Sequence, residues 1–260
     1  MNNEKRPGSS VASSCRRASG AARWSLCLLL AGCAGNPPAT QPVAQPTPLE
    51  LRLGGEVAAF AAADKASFPA PCEVLFVGSS SFRMWSSLAQ DMAPLPVINR
   101  GFGGSHIEYV NRWFEPLVAA YRPSAIVFYA GENDLDAGKS PQRVIADFDA
   151  FLALKSAALG AAPVYFIPLK PSKLRFAQFA QQSGVNAAIR ARATQRTDLF
   201  YIDVVSPMLE EGRPKDIYLA DGLHMSRDGY AIWTPLVRGA LLPGAEARTA
   251  RCLSREAASR

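Results

Sequence analysis

Two short segments of the sequence could together support nucleophilic acyl transfer. Residues 78–81 read Gly-Ser-Ser-Ser, and residues 221–224 read Asp-Gly-Leu-His. A serine hydroxyl becomes a nucleophile when a neighbouring imidazole accepts its proton, and a carboxylate can fix the tautomer of that imidazole. His224 follows Asp221 by three residues, a spacing that lets the two side chains meet within one loop. Each segment also has an ordinary interpretation, as a polar turn with a helix cap and as a surface loop.

Two further segments could stabilise the negative charge that develops during acyl transfer. Residues 99–105 (Asn-Arg-Gly-Phe-Gly-Gly-Ser) carry three glycines, which allow a backbone N–H to turn towards a substrate. Residues 131–134 (Gly-Glu-Asn-Asp) offer an asparagine amide that could donate to an oxyanion. The alternatives are a flexible turn, turn chemistry of Asn and Asp, and a phosphate loop that lacks the usual Lys-Ser/Thr. The second histidine, His106, begins a predicted helix and is given no catalytic role.

Short apolar runs alternate with amphipathic stretches through the body of the chain. Strands are predicted at 73–77, 96–99, 124–130, 163–168 and 199–204. Helices are predicted at 82–92, 107–121, 141–159, 176–194 and 226–242, with an additional helix over 49–68. This alternation predicts an α/β fold, a three-layer α/β/α sandwich with a five-stranded parallel sheet and a core at about 70–245. The four segments all follow predicted strands, where the ligand sites of such sheets lie.

Taken together, the segments resemble the motifs of the SGNH/GDSL hydrolase family, in particular its bacterial lipase/acylhydrolase-like branch. The matching stretches are 78–85 (GSSSFRMW), 99–105 (NRGFGGS), 129–135 (YAGENDL) and 221–224 (DGLH). The resemblance covers about residues 55–242 and implies the flavodoxin-like fold of that family. It also implies ester hydrolysis with no metal or organic cofactor.

The resemblance assigns a role to individual residues. Ser80 matches the nucleophile, and Asp221 and His224 match the acid and base of a catalytic triad. Gly104 and Asn133 match two oxyanion donors, and the Ser80 backbone N–H matches the third.

One position departs from the family pattern. The usual Gly-Asp-Ser is Gly-Ser-Ser here, with Ser79 in place of the aspartate. Ser79 and Ser81 are therefore rival nucleophiles, ranked below Ser80. Four other motif residues are interpreted as supports for the turns or walls of the cleft: Arg83, Trp85, Arg100 and Asp134.

The expected reaction is hydrolysis of short acyl groups, such as acetyl, from a carbohydrate or another small ester. The sequence contains no large apolar insertion that would form a lid over long acyl chains. The alternatives are a lysophospholipase or thioesterase, an acyltransferase, and a non-catalytic envelope lipoprotein that binds glycan. The sequence does not determine the oligomeric state.

The N-terminus is expected to direct the chain to the cell envelope. A basic segment and a short apolar run at 24–31 precede Leu-Ala-Gly-Cys at 30–33, which resembles a bacterial lipobox. This predicts a signal peptide over 1–32, lipidation of Cys33, a Pro-rich tether over 33–48 and a hydrolase domain over 49–260. The expected location is the periplasmic face of the outer membrane, with the lipid as the only membrane contact.

Composition and charge indicate a globular protein without a nucleic-acid partner. The chain has 260 residues, 48% of them hydrophobic and 19% charged, which is typical of a globular protein. The net charge is +6, but residues 1–32 hold five basic residues and one acidic residue. Because the remainder is nearly balanced, we expect no nucleic-acid partner.

Five cysteines are present, and two of them belong to the predicted folded domain. Cys15 and Cys27 lie in the leader, and Cys33 is the expected lipidation site. Cys72 and Cys252 flank the predicted strands and helices. In an oxidising compartment they could form a disulfide, and the alternative is two free thiols. No spacing resembles a zinc site.

Overall fold

A computed structural model describes residues 45–258. The predicted leader, the lipidation site Cys33 and most of the tether lie outside the described residues, so their roles stay predictions. No helix within 45–258 has the length and apolar character needed to cross a bilayer.

Five parallel strands form the central sheet in the order β2-β1-β3-β4-β5. The strands are β1 (Val74–Gly78), β2 (Val97–Gly101), β3 (Ala125–Tyr129), β4 (Val164–Phe166) and β5 (Leu199–Tyr201). β1 and β3 are buried along their whole length, as expected for central strands covered on both faces. The direction of winding reverses between β1 and β3, which opens a crevice at their carboxyl ends. The predicted five-stranded parallel α/β fold is confirmed.

Ten helices surround this sheet within the described residues. They are α1 (Pro48–Ala66), α2 (Ser80–Arg83), α3 (Leu88–Asp91), α4 (Ile107–Arg112), α5 (Phe114–Leu117), α6 (Glu132–Asp136), α7 (Pro141–Leu159), α8 (Phe179–Ala193), α9 (Arg227–Leu241) and α10 (Ala245–Ala258). Three 3₁₀ turns lie at Ala119–Tyr121, Phe176–Gln178 and Ser206–Met208, and a small antiparallel pair joins β6 (Leu209–Glu210) to β7 (Arg213–Pro214).

Two apolar clusters occupy opposite faces of the sheet. Along β1, Val77 belongs to one cluster, together with Phe148 of α7. Its neighbour Phe76 belongs to the other, together with Trp85 and Trp233 of α9. Successive side chains of a strand point to opposite faces, so a fully apolar β1 feeds both clusters. This alternation produces the three layers.

Two predicted helices are interrupted in the structure. The helix predicted at 82–92 is divided into α2 and α3, and Trp85 Nε1 and Ser87 Oγ both donate to Asp91 Oδ2, at 2.6 Å each, across the break. The helix predicted at 107–121 is divided into α4, α5 and a 3₁₀ turn. Pro116 has no N–H to donate to the Arg112 carbonyl, which accounts for the break between α4 and α5.

Neither α6 nor α10 is predicted from the sequence. α10 is rich in alanine, arginine and glutamate, and only Arg248 and Cys252 are buried on it. Because it offers so few large apolar residues, the sequence predicts no helix here, and Cys252 is expected after the last helix instead of within one.

A disulfide joins Cys72, just before β1, to Cys252 of α10. Both residues are buried, and the bond links positions separated by 180 residues. It thus fastens the C-terminal helix to the start of the sheet.

Replacing both cysteines by alanine is expected to lower the free energy of unfolding by about 2–4 kcal/mol, because the bond restricts a long loop of the unfolded chain. Urea unfolding followed by circular dichroism, without reductant, measures the change. As a control, reductant should lower the midpoint of the wild type and leave that of the Cys72→Ala/Cys252→Ala variant unchanged. Equal midpoints for wild type and variant in non-reducing buffer would contradict the prediction.

Candidate active site

The serine run sits on a tight turn between β1 and α2. Gly78 has φ of +144°, and a Cβ there would lie 1.9 Å from the Tyr129 carbonyl oxygen of β3. The Ser79 N–H donates to that same oxygen at 2.8 Å. Only glycine permits so close an approach of the two strands. As a result Ser80 becomes the first residue of α2, at the crevice between β1 and β3.

Ser80, His224 and Asp221 are connected by hydrogen bonds. His224 Nε2 lies 3.0 Å from Ser80 Oγ, and His224 Nδ1 lies 2.6 Å from Asp221 Oδ2. With the ring proton on Nδ1, the imidazole donates to Asp221 and accepts from the Ser80 hydroxyl. Of the three serines in the run, Ser80 is the one within hydrogen-bond distance of His224. The structure therefore brings together three predicted residues that stand up to 144 positions apart.

Asp221 is held as a carboxylate by its own loop. Its Oδ1 accepts the N–H groups of Leu223 and His224 at 2.9 Å each. Desolvation raises the pKa of Asp221, but the hydrogen bonds from the His224 ring and the two amides outweigh it and lower the pKa to about 2. The same contacts fix the position of His224 relative to Asp221.

The three predicted oxyanion donors differ in their present partners. Gly104 has φ of +73°, and its N–H is bonded to no acceptor within residues 45–258. The Ser80 N–H donates to Ser79 Oγ at 2.6 Å. Asn133 Nδ2 donates to the same Ser79 oxygen at 2.9 Å and to the Ser105 carbonyl at 3.0 Å. The Ser79 hydroxyl thus accepts from two of the three donors.

Arg175 orients the Asn133 amide and is not predicted as a site residue from the sequence. Its Nη1 donates to Asn133 Oδ1 at 2.9 Å, which directs Nδ2 towards the serine turn. Arg175 lies in the segment after β4, where a single arginine carries no recognisable motif. The pairing of Arg175 with Asn133 could be found only once the loops after β3 and β4 are known to meet.

A buried ion pair lies beside this amide. Glu132 accepts from Lys170 Nζ at 2.7 Å and from the Tyr129 hydroxyl at 2.6 Å. Burial raises the pKa of Glu132, but the positive charge and hydrogen bond of Lys170 outweigh it, so the pKa is lowered. Burial and the adjacent carboxylate raise the pKa of Tyr129 well above its ordinary value. The pair anchors the start of α6, and with it the backbone of Asn133.

The loop that carries Gly104 is fastened to α1. Glu56 Oε2 accepts the Gly103 N–H at 2.9 Å, and Arg52 Nη2 donates to the Gly103 carbonyl at 2.8 Å. Arg52 and Glu56 are themselves paired at 2.7 Å. The additional helix predicted before the sheet therefore positions one of the candidate oxyanion donors, a role that its sequence did not reveal.

The other motif residues mainly support the turns. Trp85 packs in the apolar cluster with Trp233, and Arg100 pairs with Asp64 at 2.5 Å. Asp134 accepts the Ile107 N–H at the start of α4, at 3.2 Å from each carboxylate oxygen. Arg83 differs, because its guanidinium lies over Gly103, where a Cβ would come within 2.5 Å of it.

The two remaining polar residues have structural positions as well. The Ser81 carbonyl accepts the Tyr230 hydroxyl at 2.8 Å. His106 precedes α4, and its Nδ1 lies 3.4 Å from Glu108 Oε1.

A sequence model of the GDSL-like lipase/acylhydrolase family matches residues 69–232, which contain the whole sheet and all four motifs. The chain belongs to this family. It is accordingly an ester-hydrolysing enzyme. No curated protein sequence matches it.

Solved structures share the fold at low sequence identity. A GDSL-like lipase from Bacteroides thetaiotaomicron has a TM-score of 0.62 and 20% identity, covering 71% of this chain and 96% of the other. A carbohydrate esterase of family 3 from Talaromyces cellulolyticus gives 0.56 and 17%, with coverage of 68% and 99%. An acetylxylan esterase from Geobacillus stearothermophilus gives 0.53 and 14%, with coverage of 65% and 93%. At these identities the similarity establishes the fold alone.

Proposed function

We propose that this protein is a serine esterase with Ser80 as nucleophile, His224 as general base and Asp221 as the group that orients the base. The observation that carries the proposal is the hydrogen-bonded series from Ser80 Oγ to His224 Nε2 and from His224 Nδ1 to Asp221. A base oriented by a carboxylate and within reach of a hydroxyl is the arrangement that activates a serine.

In the first half of the reaction, His224 accepts the Ser80 proton as Ser80 Oγ attacks the ester carbonyl carbon. The carbonyl π electrons move to oxygen, and this oxyanion forms beside the N–H groups at the crevice. Gly104 contributes directly, because its N–H has no acceptor among the described residues. The Ser80 N–H and the Asn133 amide, both bonded to Ser79 Oγ, complete the site. When the tetrahedral intermediate collapses, the ester C–O bond breaks and His224 returns the proton to the leaving alcohol.

In the second half, water replaces the alcohol. His224 removes a proton from that water as the water oxygen attacks the acyl carbon. The bond between Ser80 Oγ and the acyl carbon then breaks, His224 returns the proton to Ser80 Oγ, and the acid is released. Asp221 remains a carboxylate throughout, since its pKa of about 2 lies far below neutral pH. It therefore stabilises the imidazolium in both halves without being protonated itself.

The substrate we propose is a short acyl ester, such as an acetyl group on a carbohydrate or another small alcohol. Only residues 102–106 separate β2 from α4, and two residues separate β3 from α6, so neither connection can form a broad apolar lid. The side chains that approach the donors are polar, as with Arg52 and Arg175. The carbohydrate esterase and acetylxylan esterase folds agree with this choice of substrate.

We also propose that the enzyme acts at a membrane face, attached by a lipid on Cys33. The lipobox-like Leu-Ala-Gly-Cys and the Pro-rich segment after it support this location. Within the described residues, Thr47 and Glu50 form a reciprocal cap at the start of α1. A short tether of this kind would hold the catalytic domain close to the bilayer.

The anchor is tested by Cys33→Ser in a bacterial host. The wild type is expected in the membrane fraction and the variant in the soluble fraction of the envelope, because serine cannot accept the thioether-linked lipid. Both forms should hydrolyse p-nitrophenyl acetate equally after purification. An unchanged distribution between the fractions would reject lipidation at Cys33.

The nucleophile is tested by Ser80→Ala in the full chain. The rate of p-nitrophenyl acetate hydrolysis is expected to fall by about 10³-fold or more, as for loss of a triad nucleophile. The matched control is Ser81→Ala in the same serine run, which should retain most of the activity. An inactive wild type, or a Ser80→Ala variant as active as wild type, would sink the assignment.

The acyl group is tested by a series of p-nitrophenyl esters from acetyl to palmitoyl. We expect kcat/KM to be highest for acetyl and to fall as the chain lengthens, because the connections after β2 and β3 are short and the polar side chains of Arg52 and Arg175 lie beside the donors. A maximum at long chains would instead favour a lysophospholipase or thioesterase.

A further inference from the structure

We propose that Ser79 is a second catalytic serine, whose hydroxyl donates a hydrogen bond to the oxyanion. This inference rests on the proposed serine-esterase function. The residue stands where the family motif has an aspartate, and it is 3% exposed beside the nucleophile.

The resting structure leaves few donors free for a substrate. Ser79 Oγ accepts the Ser80 N–H at 2.6 Å and one N–H of Asn133 at 2.9 Å. The other N–H of Asn133 goes to the Ser105 carbonyl at 3.0 Å. Gly104 is then the one predicted donor whose N–H has no acceptor among the described residues.

The Ser79 hydroxyl has a hydrogen to offer. A hydroxyl has one donor and two acceptor positions. Both acceptor positions of Ser79 are taken, and within residues 45–258 its own hydrogen is bonded to no acceptor. A buried donor without a partner costs free energy, which an arriving carbonyl oxygen would recover. Because Oγ already accepts two hydrogen bonds, it is polarised and donates more strongly.

The change from aspartate to serine gives this position a new capacity. A carboxylate accepts hydrogen bonds but cannot donate one when ionised. It would also place a negative charge next to a developing negative charge. The serine hydroxyl can accept two hydrogen bonds and, polarised by them, donate its own hydrogen to the substrate. Gly-Ser-Ser therefore has a donor that Gly-Asp-Ser lacks.

The step balances without any additional reactant. Ser80 Oγ forms a bond to the acyl carbon, its proton goes to His224 Nε2, and the carbonyl π electrons move to oxygen. That oxygen accepts hydrogen bonds from the Ser79 hydroxyl and the Gly104 N–H, and no proton is transferred to it. When the ester C–O bond breaks, the carbonyl forms again and the hydrogen bonds weaken.

The experiment compares Ser79→Ala, Ser79→Thr and the control Ser81→Ala with p-nitrophenyl acetate. Loss of one oxyanion donor is expected to lower kcat by about 10²-fold in Ser79→Ala, with KM changed by no more than about twofold. Ser79→Thr keeps a hydroxyl and should recover most of kcat, and Ser81→Ala should resemble the wild type. Affinity for methylboronic acid, which forms a tetrahedral adduct with the nucleophile, should fall in parallel with kcat in Ser79→Ala. Urea midpoints show whether each variant is folded.

Several outcomes would overturn the inference. An unchanged or higher kcat in Ser79→Ala would mean that the hydroxyl merely occupies the donors and leaves when substrate arrives. A loss of kcat with unchanged boronic acid affinity, or one that Ser79→Thr does not recover although it is folded, would indicate a structural role. An inactive wild type, or an active Ser80→Ala variant, would instead reject the serine-esterase function itself, and the Ser79 inference with it.

Discussion

The close approach of β1 and β3 at Gly78 is the constraint on which the site depends. The backbone there has φ of +144° and leaves no space for a side chain against Tyr129. This contact ends β1 and starts α2 within a single residue, so that Ser80 lies at the point where the sheet reverses its direction of winding. The Asn133 amide reaches the same crevice because only two residues separate β3 from α6. A bulkier residue at 78 would separate the two strands and, with them, the nucleophile and the amide.

The parts of the site that the sequence predicted are those written in local motifs. Asp221 and His224 share a loop in which the carboxylate accepts two backbone N–H groups, so their geometry follows from four consecutive residues. The sheet was predictable for a similar reason, because β1 and β3 are continuous apolar runs. Once the sheet order is known, the ends of its strands must meet, and the motifs that follow them meet as well.

The parts that the sequence did not predict are contacts between distant segments. Arg175 holds Asn133, and Glu56 holds the Gly103 amide, but neither residue belongs to a motif. Their partners are 42 and 47 positions away, and no repeating pattern in the sequence indicates a contact over such a distance. α10 escaped prediction for a different reason, since it is attached through Cys252 rather than through an apolar face.

The buried pair of Glu132 and Lys170 shows why these distant contacts matter for catalysis. Removing one partner of a buried ion pair typically costs about 3–5 kcal/mol, so neither side chain is free to leave the other. Glu132 directly precedes Asn133, and the pair therefore fixes the backbone from which the amide projects. Arg175 then fixes the amide itself. Donors that are already in place need not reorganise as charge develops, which is the main source of electrostatic stabilisation in such sites. This buried network therefore holds the Asn133 amide, and the Ser79 hydroxyl bonded to it, beside the nucleophile.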